Sequence, residues 1–328
     1  MFALGAAASS AHASSLSAIY AFGDSLSDAG NAYIATSGAE PAAPYKNGEF
    51  SNGPVWVQDL AASLGLPPVK ASLAGGATGT DYAVGGALSG NIPSLPYSAG
   101  LGDLPSQLAA FKLANPTGAN PTGLYTIWIG SNDLDAILAA ILKTNPTAAQ
   151  ISADLGAVVG NIDQAISTLA GEGAKNFLVL TVPDLGKTPA VAAFGATAET
   201  AASALSYEFD LGLESSLSTL AGADPLLSLK VVDTYSVIDT IVADPGAFGF
   251  TNVTDPCLTG EMNYAGGTPC ANPNQYLFWD QLHPTAAGQA IVAADAFQTL
   301  APEPATLTML GVGVLSLLVA RRRRSRVA

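Results

Sequence analysis

Four short, mostly apolar runs, rich in β-branched and aromatic side chains, punctuate the chain at residues 19–22, 124–129, 177–182 and 229–232. Runs of that length are too short for helices and lack the polar alternation of a half-exposed sheet, so they predict strands buried on both faces. Between and after them, apolar residues recur at helical spacing over 55–64, 104–113, 134–142, 148–169, 197–220 and 286–300. Strands alternating with helices predict an α/β domain in which helices cover a central parallel sheet. Residues 71–102 and 244–274, rich in Gly, Ser, Pro and Asn without periodicity, are expected to be long loops.

The helical pattern stops near Ala301. Pro302-Glu303-Pro304 follows, then an uncharged stretch of 16 residues, 305–320, then Arg321, Arg322, Arg323, Arg324 and Arg326. As a helix the stretch would span roughly 24 Å, short of the ~30 Å hydrocarbon core unless the arginines snorkel. Its basic flank would stay cytoplasmic, so the body would face outward. At the other end, residues 1–13 are apolar and small, and Ala11-His12-Ala13 fits a signal-peptide cleavage site. A basic n-region is missing, so a truncated signal peptide is expected there, leaving residues 14–301 as one catalytic domain and 302–328 as a tail.

Charge narrows the partners. Of 12 Lys and Arg, five lie in that tail, and no arginine occurs elsewhere in the 328 residues, which carry a net charge of −14. A body so acidic has no electrostatic footprint for phosphate backbones, which argues against nucleic acid. Cys257 and Cys270 suit an oxidising compartment, and two thiols without a histidine cluster do not make a zinc site.

The chemistry-bearing residues sit where the apolar runs end. After the first comes Gly23-Asp24-Ser25-Leu26-Ser27-Asp28-Ala29-Gly30-Asn31, placing a serine where open α/β sheets bind ligands. Taken alone, it could equally be a strand-to-helix turn with serine as cap. Near the far end, Trp279-Asp280-Gln281-Leu282-His283-Pro284 sets the single histidine outside the signal segment three residues after an aspartate. That spacing lets the carboxylate accept from imidazole Nδ1–H and leaves Nε2 to take a serine proton. Two further segments, Asp81-Tyr82-Ala83-Val84-Gly85-Gly86-Ala87 and Gly130-Ser131-Asn132-Asp133, offer oxyanion donors. Helix capping is the other reading of Asn132-Asp133, and it suits Asp133 before 134–142.

In order and over nearly all of the mature chain, these four blocks resemble the GDSL (SGNH) hydrolases. The resemblance implies a three-layer α/β/α flavodoxin-like fold and hydrolysis of carboxylic esters or thioesters with no metal or organic cofactor. Position by position it implies Ser25 as nucleophile, Ser25, Gly86 and Asn132 as oxyanion donors, and Asp280 and His283 as the orienting pair. Asp81 departs from the Asn common at that place, though an Asx turn remains available. Val182-Pro183-Asp184-Leu185-Gly186, and Asp255-Pro256-Cys257 with the later Cys270, resemble the bacterial phospholipase/lecithinase/haemolysin subgroup, and a Cys257–Cys270 disulfide is expected. The tail resembles the PEP-CTERM sorting signal of Gram-negative bacteria, which implies transient anchoring in the inner membrane, processing by an exosortase, and release to the surface or matrix.

The expected function is therefore an exported serine esterase acting on a lipid, a short acyl ester or an acetylated glycan, with the acyl chain lying against 71–102. Removal of acetyl groups from an exported polysaccharide is one rival. A non-catalytic surface or matrix protein retaining the fold is the other.

Overall fold

The computed structural model describes residues 16–74, 79–95, 102–260 and 267–301. The expected signal segment and the 302–328 tail lie outside them. Among the described residues no helix is long and apolar enough to cross a membrane; the spanning anchor expected at 305–320 lies outside them.

The four apolar runs form β1 (Ala18–Gly23), β2 (Gly123–Trp128), β3 (Asn176–Leu180) and β4 (Ser228–Val232). They pair in parallel in the order β1-β2-β3-β4. Every residue of β2 is buried, as expected of a strand covered on both faces, whereas β4 alternates toward solvent at the edge. The segment around Asp81 runs parallel beside β1 on its free side: Ala21 N–H donates to Thr80 O at 2.9 Å and Tyr82 N–H to Ala21 O at 2.8 Å. Counted as a rudimentary strand, it completes the 2-1-3-4-5 order of flavodoxin-like sheets. The expected loop at 71–102 is therefore in part a sheet edge.

The helices are α1 (Asn31–Ala35), α2 (Trp56–Ser63), α3 (Leu104–Ala114), α4 (Ser131–Thr144), α5 (Ala148–Gly171), α6 (Pro189–Ala192), α7 (Ala196–Ala223), α8 (Thr234–Ala243) and α9 (Ala286–Leu300). Strand side chains alternate between faces. Phe22, Tyr125, Ile127, Phe177 and Val179 share a core with residues of α3, α4, α5 and α7. The opposite parity is equally buried at Ile19, Leu124, Leu178 and Leu180. There the Trp128 ring meets Trp56 of α2 edge-on at 5.7 Å, and Gln289 of α9 accepts from Trp56 N–H at 3.1 Å. The result is three layers, α/β/α.

Short strands escaped the sequence reading. β5 (Asn252–Pro256) and the β6 (Leu258–Thr259) and β7 (Thr268–Pro269) pair fall inside the expected 244–274 loop, and β5 pairs with β8 (Tyr276–Phe278) just beyond it. They are two to five residues long, too short to show an alternation a window could detect. The Cys257–Cys270 disulfide spans the β6–β7 hairpin.

Candidate active site

All four sheet strands end at one edge, and the residues just past those ends line a single cleft: Asp24 and Ser25 after β1, Asn132 after β2, Pro183 after β3 and Thr234 after β4. Ser25 occupies a tight turn rather than capping a helix. The turn is entered through Gly23, where a Cβ would lie 2.3 Å from Trp128 O, so only glycine lets β1 and β2 close together there. Asp24 Oδ1 accepts from Leu26 N–H at 3.0 Å and stiffens the turn.

His283 comes from the far end of the chain, 258 residues after Ser25. Its Nε2 lies 2.8 Å from Ser25 Oγ and its Nδ1 lies 2.7 Å from Asp280 Oδ2. With Nδ1–H donating to the carboxylate, Nε2 is bare and accepts a hydrogen bond from the serine hydroxyl. Asp280 Oδ1 accepts from Leu282 N–H at 2.8 Å and His283 N–H at 2.7 Å, so the acid folds its own segment as well as orienting the ring. All three side chains are buried. Burial would push Asp280 up, but the charge of His283 and the hydrogen bonds it receives hold it below the ordinary carboxylate range. Burial likewise opposes the charged form of His283, and Asp280 outweighs it, raising the imidazole above its ordinary value.

Three donors converge on the same corner. Ser25 N–H and Gly86 N–H have no acceptor among the described residues. Gly86 sits at φ 77°, where glycine is favoured, with no atom within 4 Å of where a Cβ would be. Asn132 Nδ2 spends one hydrogen on Ala87 O at 3.0 Å, which aims the amide and leaves the second for a ligand. Asp133 does not cap α4, whose start is Gly130 and Ser131. Its carboxylate instead accepts from Ser89 N–H and Oγ, at 3.0 and 2.8 Å to the nearer oxygens, and so ties the Gly86 segment to α4.

A serine, an imidazole, an orienting acid and free N–H donors form an acyl-transfer constellation, and the sequence match agrees. Residues 19–296 fit the family model of the GDSL-like lipase/acylhydrolases. The chain belongs to that family.

As a GDSL-family member the chain is a hydrolase acting on ester bonds. It is 29% identical to the thermolabile hemolysin of Vibrio parahaemolyticus, aligning over 84% of this chain and 62% of the hemolysin, so it spans less than two thirds of that relative. With a GDSL esterase/lipase of Arabidopsis thaliana it shares 26% identity over 92% of each chain. It is 25% identical to a phosphatidylcholine-sterol acyltransferase of Aeromonas hydrophila, over 85% of this chain and 89% of the other. Among solved structures, an extracellular lipase of Streptomyces rimosus matches with TM-score 0.45 and 18% identity, over 87% of this chain and 100% of the lipase. Residues 300–324 match the PEP-CTERM protein-sorting motif, which points to export.

The GDSL hydrolase departs from its sequence reading in the acyl wall. Among the described residues of 71–102 only Gly86 lines the cleft. Described residues of that segment near Asp81 are held against β1 and Ser89 is held by Asp133 of α4, with Tyr82, Ala83 and Ala87 buried. Apolar wall comes instead from Leu185, Ile238, Phe278, Leu282 and Val292. Asp81 keeps the expected Asx turn, accepting from Ala83 N–H at 3.0 Å and also from Ala29 N–H at 2.6 Å.

A strap before α2 grips the histidine segment and was missed. Tyr45 Oη donates to Asp280 Oδ2 at 2.6 Å, Ser51 Oγ to Pro284 O at 2.9 Å, and Asn52 Oδ1 accepts from Ala286 N–H at 2.8 Å. Phe50 lies against His283 with ring centres 5.2 Å apart. Isolated polar residues in an irregular stretch give no periodic signal, and their partners lie more than 230 residues away.

Proposed function

We propose that the chain is an exported serine esterase that hydrolyses carboxylic esters through an acyl-enzyme on Ser25. The observation that carries this reading is the unbroken chain Asp280–His283–Ser25, with contacts of 2.7 and 2.8 Å. Ser25 Oγ attacks the ester carbonyl while His283 Nε2 takes its proton, and Ser25 N–H, Gly86 N–H and Asn132 Nδ2–H meet the oxyanion. Collapse expels the alcohol, which leaves with the proton from His283. Water then attacks the acyl carbon, gives its proton to His283, and the acid departs as Ser25 Oγ recovers a proton. Every atom and proton is handled by these side chains and water, so the steps need neither metal nor organic cofactor.

The apolar wall from Leu185 to Val292 supports an acyl group larger than acetyl. Residues 14–301 would be the catalytic domain, and 302–328 a transient inner-membrane anchor cut by an exosortase, with delivery to the surface or matrix of a Gram-negative bacterium. Purified protein should cleave p-nitrophenyl esters of medium acyl length faster than the acetate or an acetylated glycan. Equal or greater turnover on the glycan would turn the reading to polysaccharide deacetylation, and no turnover on any ester would overturn it.

A further inference from the structure

Asp280 Oδ2 receives two donors, His283 Nδ1–H at 2.7 Å and the Tyr45 hydroxyl at 2.6 Å. Its partner Oδ1 receives two backbone N–H groups, from Leu282 and His283. The carboxylate is thus fully engaged, and Tyr45 alone of the four donors comes from outside the Asp280–His283 segment. Tyr45 is 6% exposed and wedged edge-on between Phe50 and Trp279, with ring centres at 6.5 and 6.1 Å. Beneath it the Cys257–Cys270 disulfide and Leu258 complete a small core of their own. A phenol buried in this way needs a hydrogen-bond partner, and the packing directs it to the oxygen that orients the imidazole.

We propose that Tyr45 is a positioning residue of this hydrolase: its hydroxyl fixes the Asp280 carboxylate and weakens that carboxylate's pull on the imidazole proton, so that His283 is held in place yet releases its proton to the leaving alcohol. The proposal rests on the Ser25 acyl-enzyme reading. Its physical basis is competition. A carboxylate oxygen that already accepts a short hydrogen bond has less negative charge to offer a second donor. The other titratable groups facing His283 are Asp24 past β1 and Asp135 on α4, and no lysine or arginine lines the cleft among the described residues. No basic side chain there offsets the carboxylates around the ring, and Tyr45 is the side chain that competes with His283 for the same oxygen of Asp280.

The test is the pH dependence of kcat/KM on a soluble neutral ester, for the exported chain and two substitutions at position 45. Tyr45→Phe should lower kcat about tenfold with KM within about twofold, and move the acid limb of the profile to higher pH by about half a unit. Site-specific 3-fluorotyrosine at position 45 keeps the shape and strengthens the donor, and should move the limb the other way. Opposite displacements support the proposal, since a packing role cannot produce them. An acid limb unmoved in the 3-fluorotyrosine protein, or moved in one direction by both changes, overturns it, and this holds even where Tyr45→Phe fails to fold. Ser25→Ala separates the premises: if that variant keeps esterase activity the acyl-enzyme reading itself fails, whatever position 45 does.

Discussion

Asp28, three residues after the proposed nucleophile Ser25, accepts a hydrogen bond at 2.8 Å from the N–H of Gly85, the neighbour of the proposed oxyanion donor Gly86. The same carboxylate accepts from Gly30, Asn31 and Ala32 N–H groups at 2.8, 2.5 and 3.0 Å, so it ties the serine turn to the oxyanion loop. Asp28→Ala should therefore lower kcat by about ten- to a hundredfold, below the full cost of a lost oxyanion donor because Gly86 remains present but less well aimed. Steady-state kinetics with a melting curve alongside will check it; a folded variant with wild-type kcat would show that the tie only caps α1.

Asn132→Ala removes a donor outright. It should cost roughly 10²–10³ in kcat with little change in KM, because the amide meets charge that exists only in the tetrahedral state. A comparable rise in KM would mean that the amide binds the ground-state ester instead.

Stability should fall from mildly acid to mildly alkaline pH. Burial pushes Asp210 up to about 8 and Asp24 and Glu49 up to about 7, from ordinary values of 3.8 and 4.5. An acid whose folded value is raised is favoured protonated in the fold, so its contribution is complete below the unfolded value. It is lost as pH climbs toward the folded one. His283, raised in the fold, acts in the same direction, while the lowered Asp280 acts only at lower pH. Melting temperature should be higher at pH 5 than at pH 8, and Asp210→Asn should flatten that slope. A profile rising toward pH 8 would show that these carboxylates are better solvated than their burial implies.

Activity should run against stability. His283 works as a base only when neutral, and Asp280 raises it above 6.5, so kcat/KM should fall on the acid side with a midpoint above that value. Diethylpyrocarbonate should inactivate in proportion to one modified imidazole in the mature body. A midpoint well below 6.5 would contradict the Asp280–His283 pairing.

How much of this was legible in the sequence follows from the range of each signal. The four sheet strands announced themselves because β2, for example, is buried on both faces and is accordingly mostly apolar. That Ser25, Asn132 and His283 meet at one cleft was readable because each lies in a compact block at a strand end or beside its own partner acid. Tyr45 and Asp28 were not, since their roles depend on contacts 235 and 57 residues away. The acyl wall was misplaced for a related reason. Residues around Asp81 look like a free glycine-rich loop, yet their backbone groups are spent on β1 and so cannot leave the sheet edge to cover a substrate.

The most direct test is a fluorophosphonate probe followed by peptide mapping. The account predicts one covalent adduct, on Ser25, formed at a rate that collapses in His283→Ala and is absent in Ser25→Ala. An adduct on any other residue, or unchanged labelling without His283, would contradict it.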